Sequence, residues 1–271
     1  MKRGKRQNKG LKIFGGKTKK STGRLVFAAL FTVALAGISF AVFILIREQV
    51  EYHAAQNEYK QLRDYSPIGD KVLTPTPAPT ASLPDDEAPE VLPDEPEPEV
   101  NLLEINPDYI GWIKIEGTPI DYPVVQGRDN VKYVRHTFTG EYNRAGTIFM
   151  DWRSKGAFES PLPLLYGHNL RDGGMFAHLH NYRYDSFLDE HPIINVFTKD
   201  DESLTYRIFA VILTSIYDDL FTLIEKSQDD IEQYFAGNGA ADDTERFLVL
   251  STCVSRGDDD ERLLVLAALE E

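Results

Sequence analysis

Residues 25–46 (LVFAALFTVALAGISFAVFILI) run for 22 positions with no charge and with only Thr32 and Ser39 as hydroxyl residues. At about 1.5 Å rise per residue, a helix of this length crosses the roughly 30 Å hydrocarbon core of a bilayer. A secretory signal peptide shares the basic start and the apolar stretch. This run is longer than a typical signal core, however, and passes straight into Arg47-Glu48-Gln49 with no small-x-small cleavage site. The reading is a single membrane anchor. It also accounts for the charge, because the net −14 divides into +10 on residues 1–24 and −24 on everything after them. By the positive-inside rule the basic tail stays in the cytoplasm and residues from 47 onward face outside. A nucleic-acid-binding tail is the rival reading, and its position directly against a membrane span argues against it.

Beyond the span, residues 47–73 are expected to form a juxtamembrane stalk, helical to about Tyr65. Residues 74–99 (TPTPAPTASLPDDEAPEVLPDEPEPE) hold eight prolines, eight acids and no base. Such a segment cannot bury enough surface to fold and reads as a stiff, self-repelling disordered spacer that holds the following domain away from the bilayer.

Residues 100–271 change to a globular texture. Across the whole chain, 42% hydrophobic and 11% aromatic residues suffice for a packed core and exclude wholesale disorder. Short β-rich runs recur at 112–115, 120–125, 147–150, 162–166, 193–198, 204–213, 247–252 and 263–269, punctuated by turn chemistry such as Glu116-Gly117-Thr118-Pro119. Two interruptions read as helical, from Met175 to about Asp189 and from Asp219 to Phe235. A mostly β, eight-stranded mixed barrel with helical insertions is therefore expected, closed or nearly so.

The single cysteine excludes an internal disulfide framework and multi-cysteine metal sites. A lone cysteine is commonly a small buried apolar residue. Cys253 instead ends an apolar strand (RFLVLSTC), Gly167-His168 ends another, and Arg262 opens the next. An antiparallel hairpin across residues 254–261 that sets Cys253 opposite Arg262 brings a permanent cation to the thiol's surroundings. Arginine is no base; its job there is to stabilise an oxyanion or to orient a carbonyl. The acidic residues 258–261 read as a solvated turn, with a calcium site as the alternative. His53, His136, His178, His180 and His191 show no convergent partner and read as surface or packing residues.

These residues resemble a known family. Ile105-Asn106-Pro107-Asp108, Gly111-Trp112-Ile113-Lys114-Ile115 and Ile120-Asp121-Tyr122-Pro123-Val124-Val125-Gln126 are similar to the opening of class B sortases. The likeness continues through Gly146-Thr147-Ile148-Phe149-Met150-Asp151, Tyr166-Gly167-His168-Asn169, Met175-Phe176 and Leu250-Ser251-Thr252-Cys253, with Arg262 nine residues on. The resemblance implies a membrane-anchored cysteine transpeptidase of Gram-positive type cells, acting on LPxTG- or NPxTN-like C-terminal sorting motifs of secreted proteins. It implies cleavage after Thr through a thioacyl-enzyme and transfer to an amine of the peptidoglycan precursor. Cys253 is then the nucleophile, His168 the acid/base partner and Arg262 the oxyanion or positioning residue. Thr252, Ser251, Tyr166, Asn130 and Val134 are the substrate-binding candidates, and no metal or organic cofactor is called for. Pilin polymerisation, a cysteine hydrolase and a lapsed binding module are the alternatives on the same fold.

Overall fold

The strands at 247–255 and 258–269 begin from near-continuous apolar runs (FLVL and LLVLAA), the signature of strands covered on both faces. In the structure, a computed structural model describing residues 21–67, 100–241, 244–255 and 258–270, they lie at the centre of that arrangement. Eight strands close a barrel: β1 (Tyr109–Lys114), β2 (Asp121–Val125), β3 (Ile148–Met150), β4 (Leu164–Tyr166), β5 (Ile193–Thr198), β6 (Ser203–Ser215), β7 (Phe247–Ser255) and β8 (Asp258–Leu269). Their spatial order is β1-β2-β3-β4-β7-β8-β6-β5, with β5 returning to β1. The pairs β2·β3 and β4·β7 are parallel and the others antiparallel. The expected closed mixed barrel is thus the observed one.

Strand alternation divides the buried side chains into two cores. On β7 and β8, Leu248, Leu250, Leu263 and Val265 face one core, on the barrel's inner side. Phe247, Val249, Leu264 and Leu266 face outward, where two helices cover them. These are α4 (Leu220–Leu223) and α5 (Gln228–Gly237), which supply Leu220, Leu223, Ile231 and Phe235. The Phe235 and Phe247 rings stack at 4.1 Å.

The expected helix from Asp219 to Phe235 is split because Ser227 starts a new one. Its hydroxyl accepts from Asp230 N at 3.3 Å while Ser227 N donates to the Asp230 carboxylate at 3.2 Å, a reciprocal capping box. The expected helix from Met175 to Asp189 is likewise a 3-10 turn (Ala177–Arg183) followed by α3 (Asp185–Glu190), broken where Tyr184 is extended. A short helix, α2 (Leu102–Ile105), precedes the barrel, capped by Asn101.

The N-terminal helix α1 runs over Ser21–Arg63. Its first part belongs to a separate unit that ends at Gln49 and carries an exposed apolar window long enough to cross a membrane. Its second part belongs to the barrel's unit, which starts at Val50. There Ala55, Tyr59 and Leu62 are buried, Tyr59 Oη donates to Gly146 O at 2.6 Å, and Arg63 Nε donates to Asp121 O at 3.0 Å. Within the expected juxtamembrane stalk at 47–73, the helical part from 50 to 63 packs on the barrel through one apolar edge. Residues 1–20 and 68–99, which include most of the basic tail (1–24), the end of the stalk (68–73) and the acidic spacer (74–99), lie outside the described residues.

Truncating the ring that fixes α5 tests the outer core. Phe235→Ala is expected to cost about 3–5 kcal/mol, read as a lowered midpoint in urea unfolding. An unchanged midpoint would mean that α5 is not held by this stack.

Candidate active site

Cys253 lies near the end of β7 and pairs with Arg262 on β8, which in turn pairs with Thr214 on β6. Directly opposed residues of antiparallel strands share one face, with Cβ atoms about 4.5–5.5 Å apart. Alternation puts Cys253, Ser251 and Arg262 on the outer face, in line with Val249 and Leu264. The nucleophile candidate therefore stands on the same barrel face that α4 and α5 cover further along, and both Cys253 and Arg262 are partly exposed. The hairpin is tighter than expected. β7 continues to Ser255 and β8 begins at Asp258, so the acids at 258–261 are strand residues and not a turn. Residues 256–257 lie outside the described ones.

β4 runs parallel to β7 with Tyr166 opposite Ser251, and Gly167 N continues the ladder to Ser251 O at 3.1 Å. His168 follows two residues past Tyr166, beyond the end of β4, and Cys253 two past Ser251 on β7. The residue before His168 must be glycine for steric reasons. A Cβ there would sit 2.5 Å from Ile148 Cδ1 and 2.6 Å from the Phe176 ring. His168 Nε2 lies 2.8 Å from the Val134 carbonyl, which can only accept, so Nε2 carries a proton.

Two further side chains fix the backbone at Cys253. Asn169 Nδ2 and His180 Nε2 donate to Cys253 O at 3.1 and 3.0 Å. His180, which the sequence assigns to surface or packing, therefore holds the strand at Cys253; nothing in its spacing signals this. Both residues also line a cavity of about 500 Å³ with Arg171, His178, Asn181 and Val254. Burial pushes the His178 imidazole below its usual range, which favours the neutral ring.

Of the expected substrate-binding residues, Tyr166 and Asn130 meet at one carboxylate. Tyr166 Oη donates to Asp151 Oδ2 at 3.0 Å and Asn130 Nδ2 to the same oxygen at 2.9 Å. Arg153 binds the carboxylate through Nε on Oδ1 and Nη2 on Oδ2, both at 2.9 Å. Asp151 has no exposed surface. Burial raises its affinity for a proton, but the guanidinium and backbone N–H of Arg153, with Asn130 and Tyr166, outweigh that and hold the carboxyl below the usual carboxylate range. Burial and the Asp151 charge drive the Tyr166 phenol far upward, so it is a neutral donor at any working pH. Val134 contributes its carbonyl to His168. Ser251 and Thr252 are both buried, and their hydroxyls have no hydrogen-bond partner among the described residues. Thr252 pairs with Leu263, an interior residue, so it points to the opposite face from Cys253.

The Sortase domain family model, described as such, matches residues 113–270. A curated relative, Sortase B of Listeria monocytogenes, is 33% identical over 179 residues, covering 61% of this chain and 71% of that protein. Among solved structures, Clostridium perfringens sortase B has a TM-score of 0.56 at 30% identity, over 63% of this chain and 98% of that one. A Streptococcus pyogenes class B sortase described as involved in pilus biogenesis has a TM-score of 0.55 at 34% identity, over 62% and 96%. On the family match, these relatives and these solved structures, this chain belongs to the sortase family and is a cysteine transpeptidase of its class B.

Proposed function

We propose that this enzyme is anchored by residues 25–46 with its basic tail in the cytoplasm and its barrel outside, and that it joins secreted proteins to a cell-wall amine. The observation that carries the chemistry is the cross-strand pair of Cys253 and Arg262, with His168 two residues past β4, the strand that pairs with β7 on its other side. The Cys253 thiolate attacks the Thr carbonyl of a C-terminal sorting motif, forming a tetrahedral intermediate. Arg262 supplies the donors and the fixed positive charge facing its oxyanion. Collapse breaks the C–N bond as imidazolium His168 gives a proton to the leaving amine, leaving a thioacyl-enzyme and neutral His168. An incoming amine then attacks the thioester carbonyl while His168 takes its proton, and the Cys253 thiolate departs. Transfer wins over hydrolysis where the amine is held better than water. Ser251 stands beside the nucleophile on this face, while Thr252 supports it from the interior. The acceptor is an amine of the peptidoglycan precursor. The likeness to the pilus-associated Streptococcus pyogenes enzyme favours a second reading, in which a lysine of a pilin is the acceptor.

The full chain in detergent, mixed with LPxTG- and NPxTN-type peptides with and without an amine, tests this reading. We expect a peptide adduct on Cys253 by intact mass and a ligated product that depends on the amine. No adduct with any such peptide would remove the transpeptidase reading for these motifs, and cleavage indifferent to amine would favour a hydrolase. A triglycine acceptor against a lysine-bearing pilin peptide separates the two acceptor classes.

A second expectation concerns the nucleophile alone. Cys253→Ala should abolish turnover with an unchanged unfolding midpoint, because a partly exposed thiol contributes little packing. Residual turnover at the wild-type rate would refute the assignment.

A further inference from the structure

Asp151 poses a physical question that the thiol chemistry does not answer. It is wholly buried at the edge of β3, where an apolar residue would avoid the cost of desolvating a charge. Instead the carboxylate is kept ionised by converging donors. Arg153 N and Nε meet Oδ1 at 2.9 Å, and Arg153 Nη2, Asn130 Nδ2 and Tyr166 Oη meet Oδ2 at 2.9, 2.9 and 3.0 Å. The residues it joins come from separate elements. Asn130 belongs to the crossover from β2 to β3, and Tyr166 ends β4 two residues before His168. Asn130 is locked at its other end too, its Oδ1 accepting Trp152 N at 3.0 Å. Gln126, just past β2, clamps the same turn through Nε2, donating to Asp151 O and Ser154 O at 2.8 Å each. The remaining guanidinium nitrogen of Arg153 reaches Glu225, just past α4, at 3.5 Å.

We propose that Asp151 is a positioning residue for the sorting peptide: it locks Asn130 and Tyr166 into one rigid polar wall on the β4 side of the site, where Tyr166 stands beside Ser251. Each of the two side chains gives Asp151 one hydrogen. This leaves the second amide hydrogen of Asn130 as a donor and the Tyr166 oxygen as an acceptor, a pair matched to one extended peptide's C=O and N–H. Asp151 acts through them on donor binding and leaves the thiol's reactivity alone. The inference rests on the transpeptidase reading above.

The test is steady-state transpeptidation by the full chain in detergent, comparing wild type with Asp151→Asn. The donor-peptide KM should rise about tenfold, the effect of one lost hydrogen bond to a charged group. kcat, the acceptor KM and the rate of Cys253 alkylation by iodoacetamide should stay within about twofold. An unchanged donor KM would overturn the proposal, as would kcat and alkylation falling in step with it, which is what general loosening of the fold produces. A wild-type enzyme that forms no peptide adduct would instead refute the underlying reading, so the two failures are distinct. If Asp151→Asn does not fold, Tyr166→Phe, Asn130→Ala and their double variant decide the matter. A shared carboxylate predicts that the double variant raises the donor KM little beyond the larger single effect, whereas fully multiplicative effects would overturn the proposal.

Discussion

The site depends on the ladder between β7 and β8. Both strands are covered twice, by the barrel interior on one side and by α4 and α5 on the other, so a slip of one residue would exchange the two sets of apolar side chains. That cost fixes the register, and the register fixes Cys253 opposite Arg262. The chemistry is thus placed by apolar residues such as Leu250, Leu264 and Val265, which never meet a substrate. α4 and α5 stop short of the last outward positions, and this leaves Cys253 and Arg262 partly exposed on a face that is elsewhere core.

A second ladder flanks the first. The parallel pairing of β4 with β7 sets Tyr166 beside Ser251, two residues before His168 and Cys253, and the bare Cα of Gly167 lets Ile148 and Phe176 close against it. Around this apolar frame the polar groups are few and committed. Val134 O fixes the ring of His168, Asn169 and His180 fix the carbonyl of Cys253, and Asp151 gathers Asn130 and Tyr166. Each satisfied group adds rigidity where a transition state needs groups already in place.

Much of this was legible in the sequence, for identifiable reasons. Eight β-rich runs separated by turn residues indicate the eight strands, and an apolar run ending in Ser251-Thr252-Cys253 indicates where a thiol is presented. Other features were not legible. The acids at 258–261 suggest a turn by composition, yet the backbone ladder carries them into β8 because pairing with β6 and β7 outweighs the low strand preference of Asp. Thr252 and Ser251 look equivalent beside Cys253, and only the strand's alternation assigns them to opposite faces. Asp151 and His180 have no sequence signature of their roles, because a buried acid and a surface acid read alike until the residues that surround them are known. The docking of Tyr59 and Leu62 on the barrel was hidden for a similar reason: a single apolar edge on a short helical segment resembles an ordinary stalk.

The central claim is that the β7–β8 register puts Arg262 where negative charge develops on the carbonyl attacked by Cys253. Single-turnover acylation of Arg262→Lys, compared with the affinity of a non-cleavable peptide analogue, tests it directly. The account predicts an acylation rate lower by about 10²–10³-fold with the analogue's affinity within about twofold. Acylation at the wild-type rate, or a loss confined to affinity, would contradict it.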